Sequence, residues 1–596
     1  MSVLDRIERL RNVMVQQKID CYIIPTDDYH HSEYVGDYFK FREYITGFTG
    51  SAGTAVFTKD KAGLWTDGRY FIQAEAQSKG SGITLYKSGE SDVPTIEEFL
   101  KSELKEGDVL GFDGRTVTYA QGKRYCHIAD ENGASLKYSL DFAQNIWKER
   151  PEMSMEPVFS LEDEYTGEKI GSKLERIREI MKENGCNAHV LSSLDDIAWL
   201  LNIRGNDIAY CPLVLSYAIV YNNSVELFAD IRKFSDDIIN LLAENQVKIY
   251  PYEDIYRKVS EMTSEDKLLL DSSIMNYSLY QSISKETVIV DKQNPEILMK
   301  SVKNETQAEN LRKAHLKDAV AHTKFMYWLK KNIGRVEITE LSASARLEGL
   351  RAEQEHFLGP SFGPISAYGE HGAIVHYSAD EKSNVPLKEG KLFMTDTGGH
   401  YLEGSTDITR TVALGEVGNL EKEHFTLVAR AMLRLANTVF LYGCSGANLD
   451  CIAREIFWKE GLNFNHGTGH GVGYLLNIHE GPINFRWKEG ERPAPALEEN
   501  MVITDEPGIY IEGSHGIRLE NELLVRKTVK NEYGQFMNFE ILTYVPIDLD
   551  AILPEKMSTE EKEMLNHYHK QVYEKVSPYL SEEERIWLKE YTRAVK

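Results

Sequence analysis

The chain has 596 residues, with 68 Lys and Arg against 93 Asp and Glu, a formal charge of −25. At roughly 150 residues per domain this length calls for several domains, and a composition of 42% apolar and 27% charged residues excludes disordered, collagen-like and coiled-coil chains. The acidic balance repels phosphate backbones and excludes non-specific nucleic-acid binding short of a basic face hidden in the fold; six cysteines with no CxxC pair give no disulfide framework and fit a reducing compartment.

The first twenty residues place Leu4, Ile7, Leu10 and Val13 or Met14 at helical spacing among charges, without the apolar run and small-residue cleavage site of a secretory signal. No run of apolar residues is long enough to span a bilayer, so the reading is a cytoplasmic protein with no membrane partner. Weak linkers from Glu149 to Pro157 and from Asp291 to Pro295 divide the chain into 1–155, 156–300 and 301–596. The first two pieces resemble each other. Each opens with a helix (LDRIERL from Leu4, LERIREI from Leu174) ahead of a strand (Cys21 onward, His189 onward), and Asp67-Gly-Arg69 is matched in order by Asp230-Ile-Arg232. A duplicated α/β domain is expected.

The third piece begins with an amphipathic helix from Glu305 to Leu329 and further helix from Ile338 to Gln354. It continues with strand-like segments at Lys391, Thr406, Met501, Ile509 and Gly516, and with helices from Leu420 to Leu441 and Leu449 to Gly461 between the two strand groups. This predicts an α+β domain with both strand groups in one sheet. Ser558 with Glu561, and Ser581 with Glu584, read as capping boxes of two C-terminal helices.

The chemistry is densest between His376 and Glu520. Asp396 ends the strand LFMT and Asp407 lies in TDITRTV beyond a glycine-containing turn, so a hairpin brings the two carboxylates face to face on adjacent strands. Glu506 follows MVIT and Glu520 lies in GIRLENELLV, a second acid pair on a second hairpin; HGTGHGVG, with His466 and His470, and then His479 fall between them. Acids embedded in apolar strands cannot remain there as unpaired anions, and Arg410 and Arg518 alone are too few for four carboxylates. A hard, oxygen-rich set with imidazole and no thiolate suits two divalent ions of the Mn²⁺, Co²⁺ or Zn²⁺ kind, sharing a bridging hydroxide as nucleophile. Taken singly, Asp396 reads as a turn or surface residue, His466 as a loop histidine and His376 as a core residue; the joint pattern is what argues for a site. Gly359-Pro-Ser361-Phe-Gly363 fits GxSxG, but a helical stretch before it and Pro364 after it are the wrong context for a nucleophile elbow.

These residues resemble the metal-site motifs of the pita-bread metallopeptidases, peptidase family M24, which includes methionine aminopeptidases, prolidases and Xaa-Pro aminopeptidases. The likeness is fullest to the long, three-domain cytosolic Xaa-Pro aminopeptidases. It rests on SEY (Ser32 to Tyr34), GFTGSAGTA, WTDGRY, LDDIAWLLNIRG, GAIVHY, TDTGGHY, STDITRT, HGTGHGVG, HEGP, DEPG and GIRLEN. The resemblance implies two creatinase-like α/β domains before a pita-bread α+β domain. It implies five metal ligands: Asp407 and Glu520 bridging two ions, Asp396 on one, His470 and Glu506 on the other. Manganese is the metal it implies. Glu506 is then the carboxylate that passes on the water proton, His376 and His479 contact the substrate, His466 lies beside the proline pocket, and Arg518 orients the site by holding a carboxylate, Asp407 being the partner expected. The substrate implied is a peptide with proline second, cleaved before the proline, and the assembly implied is a homodimer whose amino-terminal domains restrict access. A prolidase acting on Xaa-Pro dipeptides, and a non-catalytic module on the same scaffold, are the alternatives.

Overall fold

Ser2 caps the first helix in a reciprocal box with Asp5, and Ile7, Leu10 and Met14 form its buried stripe while Leu4 is left exposed. The computed structural model describes residues 1–488 and 493–596, and the elements below are those of the described residues. They form two compact units, Met1–Leu161 with Lys169–Glu296, and Glu162–Glu168 with Ile297–Lys596.

The first unit holds the duplication. Strands β1 (Cys21–Pro25), β2 (Thr54–Thr58), β3 (Ala62–Thr66), β4 (Thr84–Lys87), β5 (Val109–Phe112) and β6 (Ser135–Lys137) make a sheet in the order β4-β3-β2-β1-β5-β6. Strands β7 (Ala188–Leu191), β8 (Tyr217–Tyr221), β9 (Val225–Phe228), β10 (Val247–Tyr250), β11 (Lys267–Leu270) and β12 (Val288–Asp291) repeat it as β10-β9-β8-β7-β11-β12. The strand directions agree as well: in each sheet the first strand runs antiparallel to the second and parallel to the fifth. After β3 and after β9 the matched Asp-x-Arg segments make the same contact, the aspartate Oδ1 accepting both the main-chain N–H and the Nε–H of the arginine two residues on.

The two copies dock about a local two-fold axis. Helix α1 (Tyr119–Glu131) and helix α2 (Tyr277–Ser282) each follow the fifth strand of their sheet. Tyr119 N–H donates to Met275 C=O and Tyr277 N–H to Val117 C=O, both at 2.8 Å, the reciprocal pattern of an isologous contact. On one side of the axis Tyr119 stacks on Tyr280 with ring centroids 3.5 Å apart. On the other, Tyr277 packs where Gly122 has no side chain, and a Cβ at Gly122 would overlap its ring.

The second unit is built on helix α3 (Glu305–Asn332), capped by Asn304, and helix α4 (Glu340–Ala352), capped by Thr339. Phe325, Met326 and Leu329 of the first pack with Phe393, Val412 and the buried face of helix α5 (Asn419–Ala436) into the main core. Ser558 and Ser581 do form reciprocal capping boxes with Glu561 and Glu584. The single sheet expected here is not what forms. Strands β13 (Ile365–Tyr368), β14 (Lys391–Thr397) and β15 (Ile408–Leu414) make one antiparallel sheet. Strands β16 (Phe440–Leu441), β17 (Gly469–Val472), β18 (His479–Phe485), β19 (Val502–Asp505), β20 (Asn521–Asn531) and β21 (Gly534–Ile541) make another, in the order β16-β21-β20-β19-β17-β18. The segment read as one strand, GIRLENELLV, breaks between Arg518 and Asn521 because Glu520 N–H turns to Thr409 C=O of the other sheet at 3.1 Å. The hairpin Gly508–Ile511 with His515–Arg518 stands apart from both sheets. Ser361 is preceded directly by a strand, Phe357–Pro360, and not by the helix expected; the strand β13 that follows still rules out an elbow, and the buried Ser361 hydroxyl donates to Thr406 C=O at 2.8 Å.

Gly122→Ala separates helix propensity from packing at the local axis. Propensity alone favours alanine by about 1 kcal/mol, whereas the overlap with a ring wedged against Phe112 and Tyr138 costs about 1–3 kcal/mol. The expected outcome in a thermal melt is a lower transition for the first unit; a higher one would refute the packing argument.

Candidate metal centre

Asp407, Glu506 and Glu520 sit just beyond the ends of strands, while Asp396 lies one residue inside the end of its own. Asp396, in β14, pairs with Thr409 of β15, and Asp407 precedes β15, so by the period of two the carboxylates share one sheet face as diagonal neighbours and not directly opposed. Glu506 follows β19 just past the Asp505–Asn521 pair, and its N–H donates to Thr468 C=O at 2.8 Å. Glu520 stands across from it, its Oε2 accepting the Thr409 hydroxyl at 2.8 Å. His470 comes from β17. Its main-chain N–H donates to the Thr504 hydroxyl at 3.1 Å, and Nδ1 lies 3.0 Å from Gly471 C=O, an arrangement that places the ring proton on Nδ1 and the lone pair on Nε2. That Nε2 is 3.5 Å from Asp407 Oδ2 and 3.7 Å from Glu506 Oε1.

The structure therefore brings all five together. Asp396, Asp407 and Glu520 each offer an oxygen within 4.8 Å of the others; so do the ligand atoms, ring nitrogen or carboxylate oxygen, of His470, Glu506 and Glu520, and of Asp407, His470 and His479. Burial first, then the neighbouring carboxylates, push Asp407 and Glu520 well above the usual carboxylate range; burial also raises Glu506, against the His470 and Arg518 charges that pull it down. Asp396 Oδ1 is buried without a hydrogen-bond partner among the described residues. Hard oxygen donors, one imidazole lone pair and an orphaned carboxylate oxygen fit divalent cations, which are the partners such a cluster requires.

The partner expected for Arg518 is corrected: its guanidinium meets Asp396, with Nη2 at 2.5 Å and Nε at 3.1 Å from Oδ2, and not Asp407. The hairpin carrying Arg518 packs beside β14, which brings it to the strand of Asp396. Arg518 Nη1 also donates to the Tyr510 hydroxyl at 2.7 Å. Since arginine can only donate, that hydroxyl gives its own proton to His466 Nε2 at 2.8 Å, and His466 Nδ1–H goes to Gly467 C=O at 2.7 Å. Burial and then the Arg518 charge push His466 down to about 3, so its ring is neutral.

His479 opens β18, half-buried, with its ring 4.2 Å from that of His470. His376 follows the short turn Gly369–Ala373, half-buried, in a segment whose Val375 C=O accepts Arg518 Nη2 at 3.4 Å. Three neighbours of the centre escaped the sequence. Thr409 links the sheets by its hydroxyl, and Glu522 Oε1 accepts the main-chain N–H of Asp407 at 2.7 Å. Glu522 was legible in principle, because it shares the strand alternation of Glu520. His315 was not: its Nε2 lies 3.0 Å from Glu522 Oε2, outside hydrogen-bond alignment, and a helical histidine carries no such signal.

Comparison with known proteins agrees with this layout. Residues 6–137 and 149–307 each match a creatinase/prolidase N-terminal domain, 309–527 match metallopeptidase family M24, and 535–595 match the C-terminal region of that peptidase. The chain is 34% identical to aminopeptidase P1 of Arabidopsis thaliana over 99% of both chains, and 36% identical to Xaa-Pro aminopeptidase 1 of Dictyostelium discoideum over 97% of this chain and 94% of that one. The crystal structure of X-prolyl aminopeptidase from Caenorhabditis elegans, described as a cytosolic enzyme with a di-nuclear active site, matches with a TM-score of 0.94 at 33% identity and covers 100% of both chains. With two creatinase-like domains ahead of a pita-bread domain, and with relatives alike over the full length, this chain belongs to metallopeptidase family M24.

Proposed function

We infer that this chain is an Xaa-Pro aminopeptidase, a hydrolase that cleaves the bond between an amino-terminal residue and a following proline. The observation that carries the reading is the buried set of Asp396, Asp407, His470, Glu506 and Glu520 in a chain whose full-length relatives are Xaa-Pro aminopeptidases. In the proposed assignment Asp396 would hold one ion and His470 with Glu506 the other, while Asp407 and Glu520 would serve both; the support is that Glu520 is common to the group with Asp396 and the group with Glu506, and that Asp407 groups with Asp396 on one side and with His470 on the other. Two divalent ions, when bound, supply Lewis-acid polarisation of the scissile carbonyl and a more acidic water. Mn²⁺ is the metal proposed, with the family resemblance as its support; the donor set itself also suits Co²⁺ or Zn²⁺.

The chain's own groups do the rest. Glu506 is proposed to take the proton of the attacking water and return it to the proline nitrogen, which has no hydrogen of its own before cleavage. Arg518 holds Asp396 in place by two donors and thereby fixes that carboxylate's free oxygen toward the donor cluster. His479, beside His470, and His376 are proposed to donate to the substrate carbonyl as negative charge builds on it. His466, kept neutral by burial and the Arg518 charge and oriented by Tyr510 and Gly467, is proposed as an uncharged wall of the proline pocket. A homodimer and a cytoplasmic location complete the proposal, with the resemblance as their support; no helix of the described residues is long and apolar enough to cross a membrane.

Asp407→Asn and Glu520→Gln each remove a shared charge. Bound metal measured by elemental analysis is expected to fall below two ions per chain and Xaa-Pro-Yaa cleavage by more than about 100-fold, since residues that merely orient a ligand are worth 10- to 100-fold. Retention of both quantities would sink the assignment. Chelation is expected to abolish turnover and Mn²⁺ to restore it best among Mn²⁺, Co²⁺ and Zn²⁺. On substrate length, kcat/KM for an Xaa-Pro-Yaa tripeptide is expected to exceed that for the Xaa-Pro dipeptide; the reverse order would favour a prolidase.

A further inference from the structure

His376 lies in a stretch that secondary structure does little to hold. From Ile374 to Gly390 the described residues form no helix or strand, apart from an isolated bridge between Pro386 and Thr339. What fixes this stretch is a carboxylate. Glu340, the first residue of α4 and fully buried, accepts four hydrogen bonds from it and its approach. Oε1 takes the Tyr368 N–H at 2.8 Å and His371 Nδ1 at 2.8 Å; Oε2 takes the Tyr377 hydroxyl at 2.9 Å and the Val385 N–H at 3.3 Å. Its main chain joins in, with the Ser366 hydroxyl donating to Glu340 C=O at 2.8 Å and Glu340 N–H donating to Val385 C=O at 3.2 Å.

A buried carboxylate that spends all its acceptor capacity on one segment is costly to place there, and four donors, one of them an imidazole, offset that cost. The His371 bond is charge-assisted: the Glu340 hydrogen bond, more than any other influence, raises this histidine above its ordinary range. The tie points bracket His376. Tyr377 is its neighbour in the chain, His371 stacks on the Tyr377 ring at 4.5 Å, and Val385 closes the far end. The opposite side of the segment is held by main-chain contact with the hairpin of Arg518, where Gly372 and Gly516 approach so closely that a Cβ on Gly516 would overlap Gly372 C=O. His371, Tyr377 and Val385 are far from Glu340 in sequence, so this clamp joins the start of one helix to the loop that carries a proposed substrate contact.

We propose that Glu340 is a positioning residue for His376, holding its loop at the height where the imidazole meets the substrate carbonyl. This rests on the reading of His376 as a substrate contact. Glu340 touches neither the donor cluster nor substrate, so its effect passes through the loop.

The test is a double-mutant cycle on the metal-loaded enzyme. Glu340→Gln keeps the volume but cannot accept all four donors; it is expected to lower kcat at least tenfold with two ions still bound and KM changed less than kcat. In a His376→Ala background the same substitution is expected to cost less than twofold, because the group it positions has gone. Equal losses in both backgrounds, or an unchanged kcat for Glu340→Gln while His376→Ala is impaired, would overturn the proposal alone. Unchanged turnover in His376→Ala would overturn the reading of His376 and the proposal with it. Should Glu340→Gln fail to fold in a melting experiment, Tyr377→Phe, which deletes one hydroxyl, replaces it in the same cycle, with an expected loss of a few fold.

Discussion

Mutual repulsion among buried carboxylates is the constraint on which the second unit depends. Asp396, Asp407 and Glu520 place oxygens within 4.8 Å of one another. At an effective dielectric of about 20 each such pair repels by about 3 kcal/mol, so the three together cost about 10 kcal/mol when ionised. That is comparable with the whole net stability of a typical domain, about 5–15 kcal/mol. A single guanidinium, already committed to Asp396, cannot offset it. The cluster must take up protons or divalent cations, and the architecture around it favours cations: His470 turns Nε2 toward the carboxylates, Asp396 has an unpartnered oxygen among the described residues, and Glu522 adds a further buried carboxylate behind Asp407.

The backbone makes such crowding possible by omitting side chains. Gly469 and Gly471 flank His470, and a Cβ on either would overlap a carbonyl, that of Thr504 in the one case and Glu480 in the other. The glycines of HGTGHGVG thus serve the approach of β17 to its two neighbouring strands and have no phosphate to cradle. Because His470 sits between them, its ring can reach carboxylates carried by β15 and β19 without a bulge in either. Thr409 does the matching work from the other sheet, its carbonyl and hydroxyl both spent on Glu520.

The acids were legible in the sequence because each interrupts an apolar strand beside a glycine turn, a local pattern with a physical cost attached. The helices were legible for the same kind of reason, through periodicity and caps. What could not be read is pairing between distant segments. Arg518 meets Asp396 and not Asp407 because a detached hairpin packs beside β14, and nothing local to either residue encodes that. The break of GIRLENELLV into two strands depends on one hydrogen bond to Thr409 across the sheets. Glu340 carries no signal in sequence beyond that of an ordinary first-turn acid. Sequence order revealed the duplication, whereas its two-fold docking rests on main-chain bonds between Tyr119 and Met275 and between Tyr277 and Val117, to which any residue type contributes equally. The places of His376 and His479 came from resemblance alone.

The two units treat their aspartates in opposite ways, and the contrast separates support from chemistry. In the first unit Asp67, Asp113 and Asp230 each carry an arginine two residues on, which closes on the same carboxylate from main chain and side chain. Such a pair closes within three residues, although Arg115 also reaches Asp141. In the second unit the acids of the centre do not close on the arginines near them in sequence; among the described residues Arg518, two residues from Glu520, hydrogen-bonds Asp396 instead. Selection for stability alone would remove charges so placed, since apolar replacements of similar volume are often neutral or stabilising. Their presence at the junction of two sheets is therefore accounted for by what they hold and not by what they stabilise.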